Sequence, residues 1–117
     1  MDLKSLEELK GDWGNLLDEV ERQFKMEPDL QAVLFLIGVQ ELGKGFRTFN
    51  KQEKQDLMHI ATCRLLSDYG YYELLGIDDD GWPHWMNIKN LPKLSLKNQD
   101  ILLKQSAINY FKEEVWS

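Results

Sequence analysis

The chain has 117 residues, with 14 basic residues against 20 acidic ones and a net charge of −6. Its 43% apolar content is too high for a disordered chain, and one domain of ordinary size accounts for the length. A single cysteine, Cys63, excludes a disulfide scaffold and a four-cysteine zinc site.

Residues 1–30 hold nine acids and four bases, and residues 65–85 hold five acids with no Lys or Arg. Residues 44–64 lean basic, with five bases against two acids. Nucleic-acid binding requires a basic face to neutralise phosphates, so this balance argues against it. The N-terminal residues lack the basic start and apolar core of a signal peptide. The longest apolar run, Ala32 to Val39, is far short of the about 20 residues that cross a bilayer. The expectation is a cytoplasmic protein that uses neither membrane nor nucleic acid, with Cys63 reduced.

The first element is an amphipathic helix over roughly 3–25. Apolar residues at 3, 6, 9, 13, 16, 17, 20 and 24 form its stripe, and Gly11 marks a possible bend. Pro28 and Asp29 open a second helix, with Pro28 in its first turn, that runs to Leu42 and stops at Gly43. It is apolar on nearly every side and is expected to be the buried centre. After a loop containing Phe46 and Phe49, Asn50 and Glu53 have the spacing of a capping box. They introduce a third helix over about 51–69, with Leu57, Ile60, Ala61, Leu65 and Tyr69 down one side and Gly70 as the stop.

The character then changes. Tyr71 to Ile77 suits a strand, Asp78-Asp79-Asp80-Gly81 is a turn signal, and Trp82 to Asn87 is the return strand. Pro83 confines that strand to an edge. Residues 91–94 form a linker, and Ser95 caps a last helix over about 96–115. The expected fold is mainly α. It is a four-helix bundle-like single domain, 1–117, with a short β-hairpin at about 71–88 between the third and fourth helices.

No complete catalytic set is present. The chain contains no G-x-S-x-G, no P-loop and no G-x-G-x-x-G. With Gly81 at the sixth position of a calcium loop, Asp78 and Asp80 fall on ligand positions. Gly76 and Asn87, however, occupy the first and twelfth, so the match fails. Asp56, His59 and Cys63 share one face of the third helix and are all potential metal ligands. They supply only a partial copy of a two-metal bundle motif, and Cys63 sits among Ile60, Leu65 and Leu66 like a small core residue. No cofactor is implied.

The most distinctive feature is aromatic. Tyr69, Tyr71, Tyr72, Trp82 and Trp85 lie within seventeen residues, with His84 and the acidic turn among them. Aromatic residues ringed by polar groups serve interfaces, and they also anchor a hairpin to a small core. The strings Gly38-Val39-Gln40-Glu41-Leu42-Gly43, Lys54-Gln55-Asp56-Leu57-Met58-His59-Ile60-Ala61 and Asp80-Gly81-Trp82-Pro83-His84-Trp85 resemble a group of small bacterial proteins. That resemblance implies a bacterial cytoplasmic protein and attaches no activity to any residue.

Two functional expectations result. The first is a non-enzymatic interaction module that binds a protein partner or itself through Tyr71, Tyr72, Trp82, His84 and Trp85. The alternative is a metal- or small-ligand-binding protein that uses Asp56, His59 and Cys63, or Asp78, Asp80 and His84.

Overall fold

A computed structural model describes residues 5–116. The order of elements is α1 (Leu6–Phe24), α2 (Leu30–Leu42), α3 (Lys51–Ser67), β1 (Tyr72–Ile77), β2 (Pro83–Asn87) and α4 (Leu96–Tyr110). A π-helical turn, Phe111–Val115, continues α4. The protein is thus mainly α, with one antiparallel hairpin between the third and fourth helices.

The caps explain where the helices begin. Ser5 Oγ accepts the backbone N–H of Glu8 and starts α1. The expected first residues of that helix, including Leu3, lie outside the described residues. The helix runs unbroken through Gly11 and Gly14 and ends where Lys25 turns left-handed. Asp29 caps α2, its Oδ1 accepting the N–H of Ala32 at 2.7 Å. Pro28 therefore precedes the cap and is not in the first turn, a two-position correction to the expected start. The carboxylate of Asp29 supplies the acceptor that the helix end requires. In α3, Asn50 and Glu53 close the capping box, with side chain-to-backbone bonds of 2.8 and 3.0 Å. Ser95 Oγ accepts from Asn98 N at the start of α4.

Two helix ends differ from expectation. The third helix stops at Ser67, two residues early, because the N–H groups of Tyr69 and Tyr71 both turn back to Leu66 O. Gly70, at φ +83°, then redirects the chain into β1. The last helix is α-helical only to Tyr110 and then widens.

The chain divides into two compact units. One comprises the described residues through Val33 together with those from Leu94 onward. Here α1 packs against α4. Its buried residues include Leu9, Leu16 and Val20 on α1, Val33 on α2, and Ser106, Ala107, Ile108, Tyr110 and Phe111 on α4 and its extension. Trp116 stacks at a tilt on Phe111, with ring centroids 5.4 Å apart.

The other unit is Leu34–Lys93, which contains most of α2, all of α3 and the hairpin. Leu34, Leu36, Ile37, Val39 and Leu42 of α2 are buried, as expected of a helix that is apolar around its circumference. On α3, Leu57, Ile60, Ala61, Cys63, Leu65 and Leu66 are buried. Gly38 permits close approach, because a Cβ there would stand 2.7 Å from the carbonyl carbon of Leu57. Arg64 of α3 also reaches Glu41 of α2 at 3.4 Å. Val39, Leu42, Phe49 and Leu57 form a core cluster that Phe35 and Trp82 cover. Trp82 is thus the anchor that a two-stranded hairpin, marginal by itself, requires.

Candidate binding site

The hairpin turn is organised by one carboxylate. Asp78 Oδ1 accepts the N–H groups of Asp80 and Trp82, each at 2.9 Å. Its Oδ2 lies 2.8 Å from His84 Nε2. The backbones of Asp78 and Trp82 also pair across the turn, and Gly81 donates to Asp78 O. Gly81 takes φ +87°, the conformation that the Asp-Gly signal announces. The bond to His84 comes first among the effects that hold the Asp78 carboxyl below its ordinary value, followed by the bond from Trp82 N–H. The Lys44 ammonium donates to Asp80 O and lies over Gly81, fixing the turn from outside.

The strands pair Tyr72 with Asn87, Glu73 with Met86 and Leu74 with Trp85. The register then shifts, so that Gly76 opposes His84 and Ile77 opposes Pro83. Leu75 is the extra residue of this bulge. Bulges bend a strand and re-aim its side chains, and here one sits beside the turn.

A half-open cleft of ≈ 380 Å³ lies between α3 and the hairpin. Helix α3 contributes Asp56, His59 and Ile60 to its lining. The turn contributes Asp78 and Trp82, and β2 contributes Pro83, His84 and Trp85. The fold therefore joins parts of two candidate sets that are separate in sequence. Asp56 and His59 meet Asp78 and His84, whereas Cys63 and Asp80 stay outside. Cys63 is fully buried, and burial pushes its thiol up to about 11. A thiol at that value is neither a ready nucleophile nor a ready ligand at neutral pH. Its sulfur lies 3.5 Å from His59 Nε2. Asp80 borders a separate cleft with Lys44, Arg47 and Glu53. Among the described residues, no group of three or more His, Cys, Asp or Glu side chains could hold a metal ion.

The aromatic residues divide by role. Tyr71 and Tyr72 are half-buried, and Lys89 Nζ sits 5.5 Å from the Tyr71 ring centroid. Trp82 is committed to the core cluster. Trp85 is half-buried, and its indole N–H is buried without an acceptor among the described residues. His84 is exposed and paired with Asp78. On the hairpin, the large apolar side chains that remain in solvent are not aromatic. Leu74, Leu75, Ile77, Met86 and Ile88 are 43–67% exposed. The sequence alone does not single them out, because aliphatic residues in strands ordinarily point inward. Their signal was the short hairpin itself, since two strands cannot bury both faces of so many apolar residues.

Among the described residues, no helix is long and apolar enough to cross a membrane. Comparison with protein-family models, with curated proteins and with solved structures finds no match.

Proposed function

We propose that this protein is a cytoplasmic, non-enzymatic interaction module whose hairpin docks onto a basic protein partner. The observation that carries the reading is the exposed aliphatic set Leu74, Leu75, Ile77, Met86 and Ile88 on one short hairpin. Apolar side chains left in solvent and edged by polar groups are what association surfaces present. The rim chooses the partner. Residues 65–85 carry five acids and no Lys or Arg, and the turn at the hairpin tip is Asp78-Asp79-Asp80. A partner with an apolar patch edged by Lys and Arg complements this surface, whereas a second copy would set acid against acid. The resemblance in residues 38–85 implies a bacterial cytoplasmic protein and attaches no activity to it.

The test is affinity capture from extract of the source cells, using the wild type and the Leu75→Asp/Ile77→Asp double variant. Both positions are exposed, so each change should alter stability by no more than about 0.5 kcal/mol. The expected result is a basic protein bound at fixed stoichiometry by light scattering. The double variant should lose it, and added salt should weaken it. Capture that survives in the variant overturns the reading. So does a wild-type chain that captures nothing specific, or a homodimer that the variant breaks.

A further inference from the structure

We propose that the cleft between α3 and the hairpin binds an alkylammonium group. Its walls include two indoles, Trp82 and Trp85, and its polar groups include two carboxylates, Asp56 and Asp78. Among the described residues, no Lys or Arg lines it. A cation is attracted to the electron-rich faces of tryptophan, more strongly where water is partly excluded. An anion would meet carboxylates with no fixed positive charge to receive it. A compact metal ion would need convergent ligands, and no such group exists among the described residues. An organic cation needs only aromatic surface and a counter-charge, and the cleft has both.

The two carboxylates have different roles. Asp78 is spent on the turn, with Oδ1 taken by two backbone N–H groups and Oδ2 by His84. Asp56 is held at Oδ1 by Gln52 Nε2, at 2.9 Å, and its Oδ2 has no protein partner among the described residues. Asp56 is therefore the counter-ion, and Asp78 holds the tryptophan-bearing turn in position. The volume of ≈ 380 Å³ is at the small end for ligand sites. It suits a single head group, with the rest of the ligand left in solvent. That ligand is either a free amine or the side chain of a lysine on another protein.

The four tryptophans provide an internal control, because Trp13 and Trp116 do not line the cleft. The four indole N–H signals in a proton–nitrogen NMR spectrum are followed during titration with choline and with the neutral carbon isostere of choline. N-acetyl-lysine methylamide and butylammonium are titrated in the same way. The expected result is saturable movement of the Trp82 and Trp85 signals with the cations alone, weakened about tenfold or more by Asp56→Asn. That variant is exposed and keeps an acceptor for Gln52, so its fold is checked simply by the unchanged remainder of the spectrum. Tighter binding of the lysine amide than of butylammonium assigns the site to a protein-borne lysine, and the reverse assigns it to a free amine. Equal binding of the neutral isostere, uniform movement of all four signals, or indifference to Asp56→Asn overturns the proposal. The titration involves no protein partner, so its failure is distinct from failure of the docking reading.

Discussion

Gly38 of α2 lies directly against Leu57 of α3. A Cβ built on Gly38 would stand 2.7 Å from the Leu57 carbonyl carbon and 2.8 Å from the Leu57 Cβ, and would also press on the carbonyl oxygen. The obstacle is mostly backbone, which cannot rotate away as a side-chain end can.

Gly38→Ala should therefore destabilise the protein by about 3 kcal/mol or more, despite alanine's advantage of about 1 kcal/mol in helix propensity. Gly11 and Gly14 have the opposite expectation. A Cβ at either meets nothing within 4 Å, so alanine should add about 0.5–1 kcal/mol at each. Urea denaturation of the three variants checks this. A Gly38→Ala protein as stable as the wild type would show that α2 and α3 do not approach in this way.

The bond between Asp78 and His84 links the turn to acid. The carboxyl of Asp78 is held below its ordinary value of 3.8, so the folded form binds that proton less readily than the unfolded chain. Its contribution to stability is complete above the unfolded value and is lost as pH falls through the folded one. His84→Ala should move the Asp78 titration back toward the ordinary value, read from carboxyl carbon shifts. An unmoved titration would assign the effect to the backbone bonds alone.

Cys63 has the reverse linkage. Burial raises the thiol from 9.0 to about 11 in the folded chain. The unfolded chain loses that proton first, so stability should fall as pH rises from about 9 to about 11. Cys63→Ala should flatten the decline. A disulfide reagent should label the native thiol only slowly at neutral pH and rapidly in denaturant. Fast labelling of the native protein would mean that Cys63 is accessible.

Trp85→Phe removes a buried N–H that has no acceptor among the described residues. An unpaired buried donor costs about 1–3 kcal/mol, which offsets the packing that phenylalanine gives up. Thermal unfolding should shift by no more than the equivalent of about 1 kcal/mol in either direction. A loss well beyond that would place an acceptor on the indole.

Much of the fold could be read from local signals. Asn50 with Glu53, Ser95 before its helix and Gly70 after α3 are side-chain or φ requirements within a few residues, and each acts where its chemistry predicts. Asp29 marks a helix start in the sequence, but proline's preference for the first turn places Pro28 two positions too far in. The helix ends were harder, because Ser67 ends α3 through backbone bonds to Leu66 that no side chain announces. Asp56 and His59 meet Trp82 and His84 only once the hairpin folds against α3, over separations of more than twenty residues. Periodicity carries no information at that range. The bulge at Leu75 changes which side chains reach solvent, and alternation alone assigns them differently.

The π-helical turn at Phe111–Val115 has a consequence for chain length. Its wider winding brings the N–H of Trp116 to Phe111 O at 2.8 Å, five residues back, and seats one ring upon the other. In an ordinary helix a residue four positions on occupies that place, each residue turning about 100°. The segment thus accommodates one residue more than a regular helix needs between those rings. Shortening it by one position would restore standard winding and keep Trp116 on Phe111, whereas lengthening it by one would swing the indole off its seat.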